Sequence, residues 1–286
     1  MIVNTSLRKS KKVSVFIVLI LILGTLTECD QNVSERSHDM KKTMKIEIGD
    51  ATWQKLAGKK IYFGHQSVGF NIIDGIKDLM KDSPVKLSIV EIQEIGPLLK
   101  SGFYHARVGK NVDPISKIDD FARQMDAGIG GTADIAFFKF CFVDIRSQTD
   151  IQKVFKHYVQ TMQRLEKKYP RTKFVHFTVP LSTTVTSWKT KIKMLIGKKD
   201  IWEYDDNIRK NEFNRMLKEY YAGNEPVFDI AMYESTLPNG KRSKFTKDDK
   251  DYFDLAPEYT YDDGHLNERG RRWVAQHLLT FLSKLN

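Results

Sequence analysis

Between Lys60 and the end of the chain the sequence alternates strand-like and helix-like periodicity, and few folds accommodate that alternation. Lys60-Ile61-Tyr62-Phe63 is a short β-rich run. Ile72, Ile76, Leu79 and Met80 then fall at i, i+4, i+7 and i+8, one apolar helical face. Residues 85–92 alternate as a second strand, and a loop with Gly96-Pro97, Gly102 and Gly109 follows. Asp113-Pro114 opens a helix as N-cap and first helical residue, with Ile115, Ile118, Ala122 and Met125 inward. Residues 133–143 read as a central strand, 150–168 as a long helix, 173–179 as a fourth strand, 207–221 as a helix and 226–230 as a fifth strand. A lysine- and aspartate-rich loop precedes a last helix over 268–285. The pattern specifies an α/β fold: a three-layer α/β/α sandwich around a central five-stranded parallel sheet.

In such sheets, sites form where the strands end. Four stretches reach that edge: the turn Gly64-His65-Gln66-Ser67-Val68-Gly69, the loop at Gly109, the end of the strand containing Phe137, and residues 254–265. A serine between strand and helix can be lifted out of the sheet beside the first free N–H groups of the helix, where a nucleophile and half of an oxyanion hole are readily built. Thr260-Tyr261-Asp262-Asp263-Gly264-His265 sits just before the last helix. Three residues apart on a turn, Asp262 can hold one ring nitrogen of His265 while the other faces Ser67. Asp263 is the competing acid, and the spacing favours Asp262. The plainer alternatives are an N-cap role for Ser67 and a surface role for His265.

Residues 59–286 resemble the SGNH/GDSL hydrolases, a family of esterases, lipases and polysaccharide deacetylases. The resemblance rests on Ser67 after the first strand, on Asp262-x-x-His265 with Asn267 before the final helix, and on the helix with Asn214 and Leu217 leading into Pro226-Val-Phe-Asp-Ile. It implies a flavodoxin-like sandwich, a catalytic triad of Ser67, Asp262 and His265, and no metal or cofactor. It also implies an oxyanion hole from the N–H of Ser67, a glycine in the position of Gly109, and an asparagine donor after the central strand. Two departures stand out. Gln66 occupies the place of the usual aspartate, with His65 inserted before it. Val143, in Cys141-Phe142-Val143-Asp144, replaces the asparagine. Lys139, Asn111 and His65 are candidate replacements, Lys139 first, because a lysine within Phe-Phe-Lys-Phe-Cys must be paired or reach a polar cleft. A buried ion pair with Asp134 or Asp144 is its plainer role. His176 and His277 read as core or helix-face residues, and Cys141 as a small core residue.

The formal charge of +10 needs explaining only in part by the fold. Arg8, Lys9, Lys11 and Lys12 precede an apolar run over residues 13–23, too short to span a bilayer and suited to a secretory signal. Leu26-Thr27-Glu28-Cys29 resembles a lipoprotein box, with Glu28 in place of a small residue. Either Cys29 carries lipid or the segment is an uncleaved anchor. Residues 1–29 are thus expected to be a signal, 30–46 a polar tether and 47–286 one domain. No basic stripe interleaved with aromatics marks the chain for nucleic acid. The expectation is an exported cell-envelope or periplasmic serine esterase acting on small-molecule or glycan esters, O-acetyl groups on carbohydrate among them. An acyltransferase acting on an envelope polysaccharide and a degenerate glycan-binding domain are the alternatives. Residues 181–205 read as an insertion near the strand ends, with a basic helix over 189–199.

Overall fold

The computed structural model describes residues 48–81, 83–184 and 202–285. The signal, the tether, Cys29 and the basic helix over 189–199 lie outside the described residues. Helix α1 (Asp50–Ala57) leads into β1 (Lys60–His65) and α2 (Val68–Met80). Then come β2 (Ile89–Glu91), β3 (Gly102–Arg107), α3 (Pro114–Gln124), β4 (Ile135–Phe138), α4 (Ile151–Lys168), β5 (Lys173–Phe177) and α5 (Trp202–Tyr221). The chain continues through β6 (Val227–Phe228), α6 (Ile230–Ser235), the hairpin β7 (Lys244–Lys247) and β8 (Lys250–Phe253), and α7 (Glu268–Ser283).

The main sheet has the order β2-β3-β1-β4-β5-β6, and all its pairs are parallel. It therefore carries six strands where the sequence pattern suggests five. The extra strand, β3, lies in the glycine-punctuated stretch read as a loop. Gly102 starts that strand instead of breaking it, donating its N–H to the Lys59 carbonyl at 2.8 Å, and Phe103-Tyr104-His105 pairs along β1. Two expected strands are shorter: 85–92 contracts to an edge strand of three residues, and 133–143 ends at Phe138 as the chain turns toward Asp144. The long loop before the last helix contains α6 and the β7–β8 hairpin. The caps follow the sequence. Asp113 and Asp150 accept from the N–H of Ser116 and Lys153, each at 3.0 Å.

Alternation along the strands builds a core on each face. Ile61, Phe63, Phe103, Phe137, Val175 and Phe177 pack beneath α2 and α7, while Tyr62, Ala106, Ala136, Phe138 and Phe174 pack beneath α3, α4 and α5. On the first face, α2 and α7 approach very closely. A Cβ on Gly75 would collide with the Arg271 carbonyl oxygen and come within 2.9 Å of the Ala275 Cβ. Along the same seam, Asn71 Oδ1 accepts from the Leu266 N–H at 3.1 Å, and Arg271 Nη2 meets Asp78 Oδ2 at 2.6 Å. Contacts in this order, Asn71 to Leu266 and then Gly75 and Asp78 to Arg271, lay the start of α2 beside the start of α7.

This seam yields two predictions. Gly75→Ala would ordinarily favour a helix by up to about 1 kcal/mol. Here overpacking against a backbone carbonyl outweighs that gain, and the variant is expected to lose about 1–3 kcal/mol, read as a lower urea midpoint. The second concerns Asp78. Burial raises its carboxyl pKa, but hydrogen bonds and charge from Lys81 and Arg271 outweigh burial and hold it below the usual range. A depressed folded-state pKa gives stability that is present above the unfolded value near about 3.9 and is lost as pH falls through the folded value. Asp78→Asn is therefore expected to cost about 2 kcal/mol at pH 7, and urea unfolding repeated in strong acid should show the gap to wild type narrowing.

Candidate active site

Strand β1 lies between β3 and β4, where the connections change direction along the sheet. The crevice beyond its carboxyl end is the topological switch point. Ser67 is held there in a conformation rare for a side-chain-bearing residue, φ 54° and ψ −116°. It occupies the N-cap position of α2, yet its hydroxyl makes no cap hydrogen bond. Ser67 Oγ lies 2.7 Å from His265 Nε2 instead. The hydroxyl is thus not used in the way that makes serine common at helix starts.

The turn is pinned from both sides. The Gln66 amide donates to the Val108 carbonyl at 2.9 Å and also to that of Gly109. Its own carbonyl accepts from Lys139 Nζ at 2.9 Å. Gln66 thereby ties the exits of β3 and β4 to the serine turn. Gly69 has to be glycine for a local reason: a Cβ there would enter the ring of His65.

His265 is positioned by its own turn. Asp262 Oδ1 accepts from the backbone N–H of His265 at 2.7 Å and of Gly264 at 3.2 Å, while Oδ2 meets His265 Nδ1 at 2.7 Å. One carboxylate thus fixes both the turn and the ring. Partial burial raises the Asp262 pKa, but these hydrogen bonds and the nearby ring more than compensate and hold the carboxyl below its usual range. The edge of Phe142 packs against the imidazole, with ring centroids 5.5 Å apart, and Gly264 leaves room for that phenyl ring. Asp263 takes a left-handed conformation, φ 73°, and its carbonyl accepts from the Thr183 N–H at 2.9 Å. The carboxylate that meets the ring is that of Asp262.

No protein-family model and no curated protein matches the chain in sequence. Similarity to solved structures does exist. A Streptococcus pneumonia protein provisionally described as a platelet activating factor is 14% identical, with 91% of this chain and 99% of that chain covered and a TM-score of 0.48. A lipolytic protein of the G-D-S-L family from Veillonella parvula is 16% identical, with coverages of 79% and 98% and a TM-score of 0.43. A carbohydrate esterase family 3 protein from Talaromyces cellulolyticus is 13% identical, with coverages of 78% and 94% and a TM-score of 0.41. At these values the role of each residue has to come from the geometry of this chain.

That geometry redirects the expected oxyanion donors. The Gly109 N–H donates to Asp120 Oδ2 at 2.8 Å, so it is committed away from Ser67. Lys139 is wholly buried, and its ammonium serves the carbonyls of Gln66 and Phe140 and the Cys141 sulfur. It braces the turn from below and offers nothing to the cleft. Nor does it form an ion pair with Asp134 or Asp144: Asp134 accepts from the Lys60 N–H, and Asp144 pairs with Lys117. His65 is buried too, with Nε2 3.0 Å from His105 Nδ1. Burial first, then the charges of Lys139, His105 and Arg107, push its pKa well down, so it stays neutral. Asn111 differs. Its Oδ1 accepts from Lys117 Nζ at 2.9 Å, and the residue is exposed. Lysine can only donate, so the carbonyl end of this amide faces Lys117 and the NH2 end is turned away.

Lys117 was not singled out by sequence reasoning, and Asp144 only as a partner for Lys139, yet the two organise this corner. Their side chains are fully buried, with Nζ and Oδ2 2.5 Å apart. Asp144 also accepts from the N–H groups of Val112 and Cys141, at 2.9 and 2.6 Å. The exits of β3 and β4 are thereby joined, and Val112 is held at φ 68°, costly for a β-branched residue. The available signal was a lysine on the inward face of α3, beside Ile118. Lys117→Met would leave Asp144 buried without its cation. A loss of about 3–5 kcal/mol is expected in urea unfolding, because the desolvated carboxylate loses its compensation.

Proposed function

We propose that this protein is a serine ester hydrolase. The observation that carries the proposal is the continuous hydrogen-bonded chain from Ser67 Oγ through His265 to Asp262, with both links at 2.7 Å. Ser67 Oγ attacks the ester carbonyl while His265 Nε2 takes its proton. Asp262 holds Nδ1–H and stabilises the imidazolium as it forms. The tetrahedral oxyanion is met by the Ser67 N–H, with the Asn111 NH2 as side-chain donor in place of the asparagine that Val143 displaces. His265 then protonates the leaving alcohol, and water, activated by the same imidazole, releases the acid from the acyl-serine.

In this reading the substrate is a short acyl ester, with O-acetyl groups on carbohydrate the favoured class on the family resemblance of the sequence. The same proposal includes export by the N-terminal segment, with Cys29 as lipid attachment at the cell envelope. A binding-only role is disfavoured by the hydroxyl–imidazole separation, since a site relieved of catalysis has no need to hold serine in a strained conformation with its hydroxyl on the ring.

Fluorophosphonate labelling tests the nucleophile. The wild type is expected to label and Ser67→Ala is not. Labelling that persists in Ser67→Ala would reject the assignment. On acetyl-ester substrates, Ser67→Ala is expected to lose at least about 10⁴-fold in kcat, and Asp262→Asn about 10⁴-fold through the wrong imidazole tautomer, with both proteins folded by circular dichroism.

A further inference from the structure

A second cluster of chemically capable groups lies two strands from β1, beneath α4 and α5. Glu166 projects from α4, His176 stands on β5 and Glu225 precedes β6. We propose that these three residues bind one divalent metal ion of the zinc type. Their ligand atoms all lie within 4.8 Å of one another, with His176 Nε2 2.8 Å from Glu225 Oε2 and 3.7 Å from Glu166 Oε1. Bonds of roughly 2.0–2.2 Å in a tetrahedral arrangement put ligand atoms about 3.4 Å apart. The two imidazole–carboxylate separations bracket that value, and small side-chain rotations suffice to reach it. One imidazole nitrogen and two carboxylate oxygens leave a fourth position for water, a set that suits zinc better than magnesium or calcium.

Three further observations separate this cluster from a chance meeting of acids and histidine. His176 is wholly buried, and its Nδ1 lies 2.8 Å from the Tyr158 hydroxyl. That partner occupies one nitrogen and aims the other at the carboxylates, as outer partners of metal-ligating histidines do. Tyr221, 1% exposed, stacks on His176 with ring centroids 3.6 Å apart, and its hydroxyl has no hydrogen-bond partner among the described residues. Glu166 Oε1 is buried and also lacks a hydrogen-bond partner among the described residues. Buried polar atoms left without partners are costly, and an ion ligated by Glu166 would satisfy its Oε1. The carboxylates keep 27% and 32% of their side-chain surface, which leaves an access route for the ion.

Bound there, the ion would join α4, β5 and the start of β6. The test uses the full chain stripped with EDTA and titrated with ZnCl2. One equivalent is expected to bind and to raise the melting temperature. Glu166→Gln and Glu225→Gln, both at partly exposed positions, are each expected to weaken zinc binding at least tenfold, while melting in EDTA shows that they remain folded. His157→Ala, which removes an exposed histidine paired with Asp119, and Ser67→Ala should titrate as wild type does. No zinc binding by the stripped chain, undiminished binding in both glutamine variants, or binding abolished by Ser67→Ala would each overturn the proposal.

Discussion

The close approach of α2 and α7 is the constraint on which the site depends. Helices whose backbones nearly touch must be small at the point of contact, and Gly75 against the Arg271 carbonyl meets that demand. The rest of the seam adds direction. The Asn71 contact with the Leu266 N–H and the Asp78–Arg271 pair fix how far one helix can slide along the other. A shift of an ångström would separate a hydroxyl and an imidazole that now lie 2.7 Å apart. The Ser–His geometry is therefore a readout of helix packing as much as of the two turns that carry the residues.

Around the serine, the polar groups divide into those that hold and those that remain available. Gln66, Lys139, Asp120, Lys117 and Asp144 spend their hydrogen bonds on one another and on strand-exit backbone. This buried scaffolding sustains Ser67 and Val112 in left-handed conformations that neither would adopt alone. The Gly109 N–H and the Lys139 ammonium, both attractive as oxyanion donors in sequence, belong to the scaffolding. The difference lies in which way a donor points, and spacing in sequence does not encode that.

Much of the fold was legible because periodicity and caps are local. The faces of α2, α3 and α4 and the N-caps Asp113 and Asp150 are written in neighbouring residues. The partnership of Asp262 with His265 was legible for the same reason, being a contact between residues three apart. β3 was not legible. Its first residue is a glycine, and its strand character comes from six pairings with β1, some forty residues earlier, rather than from its own pattern. Lys117 was hidden likewise: a lysine on an inward helix face makes sense only once Asp144, 27 residues later, is seen opposite it.

The separation of 198 positions between Ser67 and His265 carries a consequence for how the protein comes into being. Contacts between distant parts of a chain form late, since loop closure costs entropy before any packing rewards it. Ser67 emerges early in synthesis, just after the first strand of the sheet. Its imidazole partner, His265, arrives only with the turn before α7, and that turn is set in place only when α7 docks. A nascent or C-terminally clipped chain would thus carry Ser67 without its imidazole partner and an uncovered apolar face. Assembly order itself keeps the hydroxyl and the imidazole apart until the last helix has docked.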